Sequence, residues 1–310
     1  MSLIKKPSEL NVQAKIKMLI YGQAGTGKST LSLSAPNPLL FDFDNGINRV
    51  NFEHIKSTVQ IENYTDMLEV INKEDLSDFD TLIVDTGGKC LDSMANYIIS
   101  RNSKMGKSNG TLTLQGYGER KAEFTALCKL ISSKNKHVIF VAHRETKQDG
   151  DDTRYVPLFG GSNYDSLVTE LDLVGYMEAN GRKRIITFDP TSRNDGKNTC
   201  NLPSTMEIPT IVNEKGIVTG QNNFIEDHVI KPYIARLADR IKLTEMYNKV
   251  VSEIKDQIEL ITDFTGANDF VSRIDSFDHV GSSKSMAAQL LSDKAKCLGI
   301  KFNKETKLYE

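Results

Sequence analysis

The chain holds no tryptophan, few cysteines, almost no net charge and no long apolar run. Its longest wholly apolar stretch, 138–142, is five residues, against the roughly 20 that a bilayer-crossing helix requires. The opening MSLIKKPSEL has no apolar core of signal-peptide length, so export is not expected and a cytoplasmic location is. The four cysteines, Cys90, Cys128, Cys200 and Cys297, show no paired spacing. That excludes a readable disulfide framework or zinc ribbon and leaves reduced thiols. With 39 basic and 41 acidic side chains the net charge is −2, so bulk positive charge cannot attract nucleic acid. Any such contact has to come from local loops or from a face assembled by several subunits.

What is present is globular. Hydrophobic residues make up 39% and charged residues 26% of 310 positions, room for about two domains or for one α/β domain with an appendage. Short β-branched runs alternate with helical patterns, which predicts a mostly parallel sheet covered by helices. Strands are expected over 16–21, 39–43, 58–61, 81–84, 138–142, 171–177 and 184–188, and helices over 28–34, 65–71, 91–100 and 119–133. Two polar stretches interrupt the pattern: 101–110, with three basic and no acidic residues, and 144–163. Polar loops of that length inside a domain usually carry function. From 233 onward Leu237, Ile241, Val250, Ile254, Ile258 and Ile261 recur at helical spacing. We therefore divide the chain into a core, 1–232, and a helical appendage, 233–310, in which 12 basic and 12 acidic side chains balance. No internal repeat is visible.

Gly22-Gln23-Ala24-Gly25-Thr26-Gly27-Lys28-Ser29 matches the P-loop pattern G-x-x-x-x-G-K-[ST] at every fixed position. The context fits, because an expected strand precedes the loop and an expected helix follows it. Glycines let backbone N–H groups turn inward around a β-phosphate, and the start of the helix, through Thr30, adds a favourable dipole. Lys28 is placed to reach the β- and γ-phosphates of ATP, and the Ser29 hydroxyl to ligate Mg²⁺. Thr81-Leu82-Ile83-Val84-Asp85 is an apolar strand ending in a carboxylate, the pattern of a Walker B segment. Asp85 is expected beside Ser29, holding Mg²⁺ through water. Thr86 follows where many P-loop ATPases carry the water-activating Glu, so that base must lie elsewhere. Asp42 and Asp44 are two apart after another buried strand and so point to one side. They are either site acids or turn caps beside Asn45-Gly46. The run 138–142 also ends in a polar side chain, His143. With no paired His/Cys spacing, zinc is not expected.

The order of these segments resembles the phage-encoded RecA-like ATPases, usually described as AAA-family or nucleotide-binding phage proteins. Some of them act as single-strand annealing recombinases. The likeness continues through Gly116-Tyr117-Gly118, Pro157-Leu158-Phe159-Gly160-Gly161 and Leu171-Asp172-Leu173-Val174-Gly175-Tyr176, covering about residues 14–210. The stretch from Ala295 to Lys304 is similar to the tail of that group. Only the P-loop is highly specific; the other motifs carry weight through their order.

The resemblance implies a RecA-like core and a ring or filament of identical subunits with nucleotide between them. It implies that Asp44 orients the attacking water, one methylene shorter than the usual Glu, and that His143 senses the γ-phosphate. It implies a basic finger from a neighbouring subunit, for which Arg193 and Lys197 are the candidates. It also implies a central path for single-stranded DNA, with Arg101, Lys104 and Lys107 from one polar stretch and Arg144, Lys147 and Arg154 from the other neutralising phosphates. Tyr117 or Tyr155 would stack on bases. The expected activity is DNA-stimulated ATP hydrolysis in recombination, inside a bacterial host and alongside other phage recombination or replication proteins. Alternatives are a helicase or packaging motor, for which 310 residues leave little room, a non-catalytic nucleotide-gated loader, and, least supported, a metabolite kinase.

Overall fold

Runs of residues apolar on both faces can be buried only inside a sheet covered on two sides, and that is where they lie. The computed structural model describes residues 14–310 apart from 151 and 161. Two compact units divide them at 233/234. In the first, β1 (Lys17–Gly22), α1 (Lys28–Ser32), β2 (Pro38–Asp42), β3 (Thr58–Gln60), α2 (Tyr64–Lys73), β4 (Thr81–Asp85), α3 (Gly87–Arg101) and α4 (Leu114–Ser133) follow in order. They lead to β5 (His137–Asp149), β6 (Asp152–Pro157), α5 (Ser162–Glu170), β7 (Leu173–Asn180), β8 (Lys183–Thr187), β9 (Lys197–Asn198) and β10 (Thr205–Ile208). The main sheet runs β10-β8-β7-β1-β5-β4-β2-β3. From β7 to β3 all pairings are parallel, and β8, β9 and β10 add antiparallel edges.

One face packs Phe41, Val84, Phe140 and Phe159 under α2 to α5. The opposite face packs Ile20, Ile83, Val141 and Phe188 with Phe224, Ile225 and Val229 from the end of the unit. The mixed α/β architecture with a mostly parallel, helix-covered sheet is the one expected. Its parallel order sets β5 between the P-loop strand β1 and β4, so the C-terminal ends of β1, β2, β4 and β5 meet at one edge.

Two expectations need correction. The helix after the P-loop spans only Lys28–Ser32, shorter than 28–34, so the phosphate cradle depends more on the loop's own N–H groups than on a long helix dipole. The polar stretch after His143 is not a loop. β5 continues through it to Asp149 and pairs antiparallel with β6, Arg144 opposite Pro157. Side-chain stacking accompanies the backbone ladder. The Arg144 guanidinium lies 4.1 Å over the Tyr155 ring, and Tyr155 stacks on Tyr176 at 5.7 Å and 19°. Tyr21 on β1 donates its hydroxyl to the Tyr155 carbonyl at 3.1 Å. No period-2 apolar pattern announces such a hairpin.

The second unit buries Val250, Ile254 and Ile258 of α6 (Lys231–Glu259) with Ala267 and Phe270 of α7 (Phe264–Arg273) and Leu291 of α8 (Ser283–Cys297). Of the helical spacing in the sequence, Val250, Ile254, Ile258 and Ile261 form this core, whereas Leu237 is only half-buried and Ile241 is exposed. A short hairpin, β11 (Phe302–Asn303) with β12 (Leu308–Tyr309), ends it, where the sequence predicts no strand. No described helix is long and apolar enough to cross a membrane.

Candidate active site

Gly22, the last residue of β1, lies against the backbone of Met177 on β7. A Cβ there would stand 2.1 Å from the Met177 carbonyl oxygen, so only glycine fits. Gly27 turns the chain into α1 at φ +94°, a left-handed conformation that glycine adopts freely. The loop between them is fastened from inside: Thr26 Oγ1 donates to the Gln23 carbonyl at 2.9 Å and Lys28 Nζ to the same oxygen at 2.8 Å. Arg184 of β8 holds the loop from outside, its Nε donating to the Thr26 carbonyl at 2.9 Å.

Lys28 is 5% exposed. Burial lowers its pKa to about 8 against the opposing pull of Asp85 and Asp44. A desolvated ammonium gains much from an approaching polyanion, which restores the charge partners lost with water. Ser29 Oγ donates to Asp85 Oδ2 at 2.5 Å. Burial raises the Asp85 carboxyl to about 6, with the Ser29 hydrogen bond opposing and the Asp44 and Asp42 charges adding to the rise.

The two acids at the end of β2 and just beyond it have separate roles. Asp42 accepts from Gly46 N at 2.9 Å and Ile47 N at 3.0 Å, so it is the turn cap. Asp44 lines the cavity, and its buried Oδ1 has no hydrogen-bond partner. That orphaned oxygen beside the Ser29–Asp85 pair is a hard donor set that suits Mg²⁺ and its waters. Among the described residues no three His, Cys, Asp or Glu side chains converge on a point, so a magnesium ion here would draw most ligands from water and phosphate.

His143 stands beside Gly22 in the β1–β5 register. It is not a strand-end residue as expected, because β5 runs on past it, yet its side chain lines the same cavity. Burial and the Lys28 and Arg49 charges, against Asp44, lower its pKa, which keeps the imidazole neutral at pH 7 with one N–H to donate. Thr86, after a cis Asp85–Thr86 bond, caps α3 through Lys89 N at 3.4 Å. The cavity, about 210 Å³, thus collects Lys28, Ser29, Asp44, Asp85, Thr86 and His143. Arg49 also lines it. Neither Arg49 nor Arg184 stands out in the sequence, since neither belongs to a motif: only the turn at Gly46 brings Arg49 to the cavity, and only the β7–β8 hairpin brings Arg184 to the loop.

A model of the AAA domain family matches residues 14–200, more than half of the chain. The chain belongs to the AAA domain family. Membership assigns it to the nucleotide-binding P-loop ATPases and agrees with the sheet order and the cradle described above. No curated protein matches this AAA-domain chain.

The remaining sequence candidates lie outside the cavity. Lys197 donates to the carbonyls of Val168 at 2.8 Å and Thr169 at 3.4 Å. It caps the C-terminal end of α5, where a cation is favourable, and is not presented as a finger. Arg193 is exposed, in the turn that Thr191 and Asn194 close. Arg154 pairs with Asp195 at 2.6 Å, and Arg144 donates to the Tyr176 hydroxyl at 2.9 Å while covering Tyr155. Both arginines therefore build the hairpin, and Tyr155, half-buried, is already engaged by Arg144 and by the ring of Tyr176. Arg101, Lys104, Lys107 and Lys147 are exposed. Tyr117 is 46% exposed, with Arg120 stacked 5.0 Å from its ring.

Proposed function

We propose that this AAA-domain protein is a Mg²⁺-dependent ATPase that works on single-stranded DNA in phage-type recombination, as a ring or filament of its own copies. The observation that carries the catalytic half is Asp44. Its buried, unbonded carboxylate oxygen shares a cavity with the P-loop Lys28 and the Ser29–Asp85 pair, the position a water-orienting base needs. Lys28 neutralises the β/γ-phosphates, Ser29 and Asp85 hold the metal's oxygen shell, and His143 donates its N–H toward the γ-phosphate side. Magnesium, when bound, offsets charge developing on the phosphate oxygens. The DNA half is supported by the exposed cations of 101–110 and by the resemblance to annealing recombinases.

A second reading, a nucleotide-gated loader, is favoured by Thr86 in place of Glu and by the short Asp44. ATP turnover measured with and without single-stranded DNA separates the two. Hydrolysis that rises with DNA supports the recombination ATPase. Tight ATP binding with no turnover under either condition supports the loader.

A further inference from the structure

A second cavity, about 200 Å³, opens on the other side of the P-loop and shares Gly27 and Thr30 with the phosphate cavity. Its walls include Arg184, Ile208, Ile211, Asn222 and Phe224. Most of these lie beyond residue 200, where the family match ends. The far wall is fastened to α1 and to the turn that follows it. Asn222 Nδ2 donates to the Thr30 carbonyl at 2.7 Å, and Ile225 N donates to Ser34 Oγ at 2.9 Å. Arg184, tied to Thr26, stands at the joint between the two cavities. A ligand with phosphates on the loop would therefore have its other end in a mostly apolar slot, rimmed by a guanidinium and an amide. A flat heterocycle with polar edges matches that chemistry.

We propose that this slot holds the nucleoside half of the bound nucleotide, the base lying against Ile208 and Ile211, so that base recognition resides in the 208–224 stretch. The inference rests on the nucleotide-binding reading above and adds where discrimination between nucleotides is made.

Calorimetric titration of the full chain with Mg²⁺-ADP and with Mg²⁺-pyrophosphate tests it. In the parent protein ADP should bind more tightly than pyrophosphate. Ile211→Glu should weaken ADP by about 10-fold or more, the scale of removing an apolar wall from a base, and leave pyrophosphate unchanged. Ile211→Val should retain ADP affinity. Unchanged pyrophosphate binding also shows that the variant is folded. Equal weakening of both ligands by Ile211→Glu, or ADP affinity that does not move, would overturn the proposal. A parent protein that binds neither ligand would overturn the nucleotide reading itself, and this proposal with it.

Discussion

The stretch 101–110 and the hairpin over 144–157 carry three cations each, but the fold uses them differently. In the hairpin, Arg144 is committed to Tyr155 and Tyr176 and Arg154 to Asp195, leaving Lys147 exposed. In 101–110, short turns organise the backbone: Asn102 caps Lys104 N at 3.1 Å and Lys107 N donates to the Thr111 carbonyl at 2.7 Å. There the side chains of Arg101, Lys104 and Lys107 stay exposed, Arg101 lying 5.3 Å from the Tyr97 ring. The difference is the neighbourhood. Aromatic rings and a carboxylate turn a guanidinium into a structural part, whereas lysines without them remain available for a ligand. Burial alone does not decide, because Lys28 is the most enclosed of these cations and faces the ligand cavity.

The largest effect is expected at Lys28, a buried cation that faces a ligand cavity. Lys28→Ala should cut ATP hydrolysis by roughly 10³-fold, since the β/γ charge loses its fixed cation in the loop. Thermal unfolding should be unharmed or slightly raised, because a desolvated ammonium has been removed. A variant that keeps its turnover and loses stability would make Lys28 a structural cation like Arg154.

His137 is the opposite case, a potential cation that the fold keeps neutral. At the buried start of β5 its Nδ1 accepts from Ile16 N at 3.0 Å, and burial lowers its pKa to about 4. The unfolded chain, near 6.5, then binds more protons between those values, so stability is complete above about 6.5 and lost as pH falls toward 4. The loss amounts to about 3 kcal/mol at most. Denaturant melts across that window should show the slope in the parent chain and a flatter one in His137→Gln. The same slope in both would remove His137 as its source.

Asp44→Asn should leave ATP affinity nearly unchanged and lower turnover by about 10²-fold, the scale for losing a positioned base. Equal turnover would return Asp44 to the turn-cap class of Asp42. Next in size is Tyr155→Ala, which removes the ring that contacts Arg144 and Tyr176 and should cost about 2 kcal/mol of stability. Calorimetric melts that do not move would mean that backbone pairing alone holds the hairpin.

Local chemistry explains how far the sequence can be read. The P-loop, the Asp85 strand and the helical spacing of 250–261 are legible because each depends on near neighbours in the chain. The parallel sheet is legible because burial on two faces writes continuous apolar runs. Asp42 and Asp44 are not separable in the sequence, since their difference lies in which one the N–H groups of Gly46 and Ile47 reach. The hairpin escapes such reading because its strands carry no apolar alternation, and the guanidinium and tyrosine that stack there lie on different strands. Arg184 and Lys197 find their partners, Thr26 and Val168, at separations of 158 and 29 positions, far outside any window of local pattern.

The smallest effect is expected from the exposed stretch. Lys104→Ala with Lys107→Ala removes two exposed charges while leaving the Asn102 and Thr111 backbone hydrogen bonds in place, so stability and ATP binding should not change. Single-strand binding should weaken at every sequence, and its salt dependence should flatten by about 0.7 for each phosphate that a subunit no longer neutralises. The matched variant in the hairpin is Lys147→Ala, at the exposed lysine there. If the 101–110 stretch lines the DNA path and the hairpin is structural, filter binding across a salt series should separate the pair, with a flatter slope for the double variant and an unchanged one for Lys147→Ala. Equal flattening in both would place the hairpin on the path as well. An unaltered slope in the double variant, with its assembly intact, would remove 101–110 from it.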